Sequence, residues 1–149
     1  MIRKARLIDA KQIQILIKDF ADNGEMLPRS LIQIYEYIRD FFVYEIDGDI
    51  HGVCALHVCW EDLAEIRSLA VKKEKQRKGT GNALVESCIK ESIDLGIKKI
   101  FALTYKPDFF KKSGFVEIDK SELPHKVWQD CLYCHKFPGC DEIALAKIL

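Results

Sequence analysis

At 149 residues, 48% of them apolar, the chain has the length and the core-forming composition of one domain, expected to span residues 1–149. Lys plus Arg and Asp plus Glu each number 23, so the formal net charge is zero, which argues against broad electrostatic binding to nucleic acid or an anionic membrane. No apolar run is long enough to cross a bilayer and the first residues hold no signal-peptide segment, so the expected location is cytoplasmic.

Residues 2–8 have the pattern of a first strand. Asp9 is a candidate N-cap for a helix that carries Ile13, Leu16, Ile17 and Phe20 at i, i+3, i+4 and i+7. Asn23-Gly24 ends it. Ser30 caps a second helix with Leu31, Ile34, Tyr35 and Ile38 on one face. Residues 41–46 and 50–60 are strands joined through Asp47-Gly48, a strong hairpin signal. Leu63–Val71 is a further strand. A long helix then carries Leu84, Val85, Cys88, Ile89 and Ser92 on one face and closes at Gly96. Residues 97–104 return as a strand, Pro107 opens a short helix, residues 115–118 form a strand, and Ile143–Ile148 forms the last. This is an α/β order, a mixed sheet flanked by helices.

The run Gln76-Arg77-Lys78-Gly79-Thr80-Gly81 lies between the Leu63–Val71 strand and the long helix. Glycines let the backbone approach a ligand. The first amides of a helix lack internal partners, and its dipole favours negative charge there. Strand, basic glycine loop and helix together make an anion cradle suited to a pyrophosphate. A P-loop would need Lys-Ser or Lys-Thr after the glycines, and a dinucleotide fingerprint would need three glycines; neither is present.

In this segment the chain resembles the GNAT family of acetyl-CoA-dependent N-acetyltransferases, whose central motif is a strand, a Q/R-x-x-G-x-G/A loop and a helix. Phe109-Phe110-Lys111-Lys112-Ser113-Gly114-Phe115 resembles the family's short helix and Gly-Phe pair after the next strand. The resemblance implies a GNAT fold: a mixed, mostly antiparallel sheet whose central strands splay apart to admit acetyl-CoA as co-substrate. It also implies direct attack of a neutral amine on the thioester, with a general base removing a proton. Backbone groups around Leu69, Ala70 and Val71 would pair with the pantetheine arm. Gln76, Arg77, Lys78, Gly79, Thr80 and Gly81 would hold the pyrophosphate. Phe110 stands where many members have a proton-donating Tyr, so the usual acid does not carry over.

Leu27-Pro28-Arg29-Ser30, Ala64-Glu65-Ile66, Phe101-Ala102-Leu103-Thr104 and Glu122-Leu123-Pro124 look like the acetyltransferase domain of N-acetylglutamate synthase. That likeness implies a short, stand-alone form acting in amino-acid biosynthesis, without the kinase-like domain of the longer synthases. It implies Glu65 as the base acting through water, with an ion pair to Arg67 two residues on as the competing reading. Thr104 falls where the family has a hydroxyl near the thiolate, and Tyr105 is an alternative proton donor or a packed aromatic. Arg29 matches an arginine that holds the substrate carboxylate, a task suited to a planar guanidinium. Arg67 and Lys126 are further substrate-binding candidates. His57 reads as a packed or half-buried strand residue.

Six cysteines are many for a chain in a reducing compartment. Cys54, Cys59 and Cys88 read as packing residues. Cys131, Cys134 and Cys140 are candidate ligands of a structural zinc, with His135 beside Cys134; the ligand set is incomplete, and packed thiols are the competing account. The expected partner is a small-molecule amine, L-glutamate first, with a polyamine, an antibiotic or a protein N-terminus as alternatives and a non-catalytic acyl-CoA-binding module as another. Relatives of the fold dimerise, which makes a homodimer a further expectation.

Overall fold

The computed structural model describes residues 1–123 and 142–149. Seven strands form one sheet in the order β1-β2-β3-β4-β5-β7-β6. They are β1 Ile2–Lys4, β2 Phe41–Ile46, β3 Asp49–Trp60, β4 Leu63–Val71, β5 Lys99–Thr104, β6 Val116–Ile118 and β7 Ile143–Ile148. Among the described residues only β4 and β5 run parallel; every other neighbouring pair is antiparallel. The helices are α1 Ala10–Asp22, α2 Leu31–Glu36, α3 Thr80–Leu95 and α4 Pro107–Lys112. The mixed, mostly antiparallel GNAT-type sheet expected from the resemblance is the one observed.

Strand alternation sends side chains to two layers. Ile13 and Ile17 of α1 and Ile34 of α2 pack on Val43, Val53, Ala55 and Ala70. On the other layer Leu84, Val85, Cys88 and Ile89 of α3 pack with Phe110 and Phe115 against Leu56, Ala64 and Ile66. The expected buried face of α3, Ser92 included, is therefore observed. Cys54 and Cys88 meet between sheet and helix at 3.6 Å between sulfurs, and both are fully buried. The contact with Cys88 and burial push the Cys54 thiol well above its ordinary value. Cys59 is only half-buried.

The hairpin turn works as its residues predict. Asp47 (φ 50) and Gly48 (φ 86) both take the left-handed conformation, the pattern that matches the twist of the flanking strands. Ser30 also behaves as expected: its hydroxyl accepts from the Gln33 amide at 3.1 Å, and the Gln33 side chain accepts from the Ser30 amide at 2.9 Å.

The N-terminus departs from expectation. The first strand stops at Lys4, and Leu7–Asp9 is a single 3-10 turn with Leu7 62% and Ile8 83% exposed. Asp9 precedes α1 but makes no side-chain cap bond to it. Its carboxylate instead accepts from the Arg6 amide at 2.7 Å and from Arg3 at 2.7 and 3.0 Å. Arg3 also donates to Glu45 at 2.8 Å, tying the start of α1 to β2. The two-point bond to Arg3 holds the Asp9 carboxyl below its ordinary value. A carboxyl depressed in the fold contributes stability above its unfolded value, about 3.9, and loses it as pH falls through the folded value. Asp9→Ala is expected to destabilise by about 2 kcal/mol, within the range for losing hydrogen bonds to a charged group, because the pair is part-buried and Glu45 still faces Arg3. It should also remove part of the acid sensitivity of the denaturation midpoint. An unchanged midpoint at neutral pH refutes this.

No helix among the described residues is long and apolar enough to cross a membrane.

Candidate active site

The site opens where β4 and β5 part. Their ladder pairs Leu63 with Lys99 through Ile66 with Ala102 and stops, while β4 runs on to Val71 and β5 to Thr104. A bulge makes the divergence possible. Between the pairs Val53–Ala70 and Ala55–Arg67, the residues Ser68 and Leu69 of β4 face the single residue Cys54 of β3. Ser68 takes φ 53, a left-handed conformation rare for a residue with a side chain. A bulge bends its strand and re-aims the residues beyond it.

The splay is part of a cleft of about 810 Å³. Arg67, Ser68 and Leu69 line one wall, and Leu103, Thr104 and Tyr105 line the other. Val71, Gln76, Arg77, Gly79 and Gly81 line one end, and Glu65 and Arg29 also face the cleft. Most expected site residues therefore meet in one space. Three of the cofactor-loop candidates do not line it: Ala70 is 1% exposed in the core under α1, Lys78 is exposed and Thr80 begins α3. Lys126, Cys131, Cys134 and Cys140 lie outside the described residues. Among the described residues no group of three or more His, Cys, Asp or Glu could hold a metal.

The loop geometry suits an anion. Gly79 precedes α3 in the left-handed conformation (φ 83), and a Cβ there would meet nothing within 4 Å. Gly79 offers no side chain to cap α3, so among the described residues the first amides of the helix keep their donors for another partner. A Cβ at Gly81 would stand 3.3 Å from the Phe109 ring, tighter than an ordinary contact, so glycine eases the approach of α3 to α4. Gln76 turns back and donates to the Val71 carbonyl at 2.8 Å, fastening the loop to β4. That carbonyl, expected to serve the pantetheine arm, is thus already shared with Gln76.

Glu65 is 8% exposed, and Arg67 donates to it at 2.7 Å. The ion pair considered from the sequence is present, at the point where the strands separate. Thr104 accepts from the Lys106 amide at 2.9 Å, which leaves its hydroxyl hydrogen to donate. Phe110 is buried between Phe109 and Phe115, ring centroids 5.1 and 5.3 Å away, and acts as a packing residue. Arg29 sits one residue before the capped start of α2, so the Ser30–Gln33 bonds fix its backbone.

Two features were not legible in the sequence. Lys106, beyond β5, pairs with Glu25, beyond α1, at 3.3 Å, and both line the cleft. His57 of β3 pairs with Asp40 at 2.9 Å. No sequence motif signals either, because each depends on how separate elements meet.

Comparison with known proteins agrees with this geometry. The profile of the acetyltransferase (GNAT) domain matches residues 38–117. An uncharacterised N-acetyltransferase of Chlorobaculum tepidum is 45% identical over 99% of this chain and 96% of its own length. An amino-acid acetyltransferase of Mycobacterium tuberculosis is 33% identical over 87% of this chain and 76% of its own length. Among solved structures, N-acetylglutamate synthase from Neisseria gonorrhoeae, complexed with coenzyme A and N-acetyl-glutamate, superposes with a TM-score of 0.91 at 30% identity. The match covers 100% of this chain and 35% of the synthase. A Mycobacterium tuberculosis protein in complex with CoA superposes with a TM-score of 0.86 at 27% identity, covering 100% of this chain and 99% of its own. The chain belongs to the GNAT family and is an acetyl-CoA-dependent N-acetyltransferase.

Proposed function

We propose that this acetyltransferase acts on the α-amine of a small acidic amino acid, L-glutamate first, and that the splay between β4 and β5 receives the acyl-CoA. The observation that carries the reading is the Glu65–Arg67 pair at the mouth of the splay, in the same cleft as Arg29. An acid paired with one guanidinium, in a cleft that a second guanidinium also lines, suits a zwitterionic amino acid: cations for carboxylate, carboxylate for amine. The names of the Mycobacterium tuberculosis and Neisseria gonorrhoeae relatives are consistent with an amino-acid acceptor.

The work is divided among residues of the loop, the bulge and the cleft. Gly79, Thr80 and Gly81 offer their backbone to the pyrophosphate at the start of α3, and Arg77 and Lys78 add charge there. The bulge at Ser68 and Leu69 presents β4 backbone to the pantetheine arm. Arg29 holds a substrate carboxylate, and Arg67 holds Glu65 in place beside it. Glu65 removes a proton from the ammonium through water, so that the amine can attack the thioester. Thr104 donates its hydroxyl hydrogen to the departing thiolate, with Tyr105 as second donor at the same strand end. Lys126 is a further candidate for the substrate carboxylate.

The test is thiol release from acetyl-CoA with a panel of amino acids and polyamines. Turnover is expected to be selective for L-glutamate and to be weak with amines that lack an α-carboxylate. Turnover with polyamines alone overturns the acceptor.

A further inference from the structure

Glu65 is nearly closed off from solvent, its side chain 10% exposed. A base that takes a proton in such a place must pass it on before the next cycle. Its neighbour across the sheet is His57, directly opposite in the β3–β4 register. Residues directly opposite in an antiparallel pair point to the same face, with Cβ atoms about 4.5–5.5 Å apart. His57 is more open, its side chain 26% exposed.

The imidazole is held from two sides. Its Nδ1 lies 2.9 Å from Oδ2 of Asp40, which ends the 3-10 turn before β2. Tyr37 meets the ring edge-on with centroids 5.5 Å apart. A carboxylate only accepts, so Nδ1 carries the proton in this bond and the neutral ring keeps its lone pair on Nε2.

We propose that Asp40 and His57 are positioning residues that act through Glu65, relaying to solvent the proton that Glu65 takes from the acceptor. This rests on the reading of Glu65 as base. In the step, the protonated carboxyl of Glu65 gives its proton to Nε2 of His57, directly or through one water. Glu65 returns to carboxylate, and the imidazolium keeps Nδ1–H on Asp40. The imidazolium then releases the Nε2 proton to bulk water. No bond to carbon changes and no redox partner is involved.

The test compares His57→Gln, His57→Ala and Asp40→Asn with Glu65→Gln, reading thiol release and thermal melting. His57→Gln is expected to lower kcat by about tenfold to a hundredfold, below the range for losing the general base itself because the relay acts one step away from the acceptor. The KM for acetyl-CoA should stay unchanged. Asp40→Asn, which keeps the imidazole, should lower kcat in the same sense by a smaller factor. Free imidazole should restore turnover to His57→Ala but not to His57→Ala/Glu65→Gln, a result that packing alone cannot produce. Wild-type kcat in His57→Gln and Asp40→Asn, with Glu65→Gln inactive, overturns the relay and leaves the base in place. A kcat loss in His57→Ala that tracks melting and ignores imidazole also overturns it. Full activity in Glu65→Gln removes the reading of the base itself.

Discussion

Glu65→Gln is expected to lower kcat by about a hundredfold to ten-thousandfold, the range for removing a general base. Gln keeps the size of Glu and can still accept from Arg67 through its amide oxygen, but it cannot take a proton. The KM for acetyl-CoA should change little, because the anion-binding loop is built from other residues. The same substitution separates the two roles read for Glu65. If its work is only to hold Arg67 at 2.7 Å, Gln keeps most of that bond, any loss falls on KM for the amino acid, and kcat stays intact. If it is the base, the loss falls on kcat. Steady-state thiol release at saturating acetyl-CoA decides between them, and an unchanged kcat ends the base role. An ion pair and a catalytic carboxylate are compatible here: the bond from Arg67 fixes the orientation of the Glu65 carboxylate.

The sheet was legible where periodicity and local turns carry it. The limits of β2, β4 and β7 and the Asp47-Gly48 turn follow from alternation and from residues that tolerate positive φ. The start of α3 and the glycine loop before it were legible because loop and helix are adjacent in sequence. Leu7 and Ile8 misled as apolar residues that extend the first strand; both are exposed because Asp9 bonds to Arg3 and folds the chain into a turn. The bulge at Ser68 leaves no trace in the sequence, since a serine at positive φ is imposed by the sheet around it. The same holds for His57 with Asp40 and for Glu25 with Lys106, whose meetings depend on register and on the splay. Resemblance supplied the splay itself; periodicity could not, because it gives strands but not where a ladder stops.

Arg29→Ala is expected to raise the KM for L-glutamate by roughly tenfold to a hundredfold, the equivalent of losing about 1.5–3 kcal/mol of hydrogen bonding to a charged group. The KM for acetyl-CoA should not follow, and neither should kcat once the amino acid saturates, since a carboxylate clamp binds ground state and transition state alike. Arg29→Lys should recover only part of the loss, because an ammonium keeps the charge but not the planar two-point contact. The loop is well placed for the role. The reciprocal Ser30–Gln33 bonds fix the backbone immediately after Arg29, so the guanidinium starts from a fixed base and less freedom is lost on binding. A panel of acceptors sharpens the result. Amines without an α-carboxylate should be indifferent to Arg29→Ala, and dicarboxylic and monocarboxylic amino acids should suffer equally if Arg29 holds the α-carboxylate. If only the dicarboxylic acceptor suffers, Arg29 holds the side-chain carboxylate and is the residue that selects glutamate. An unchanged KM for every amino acid removes Arg29 from the site.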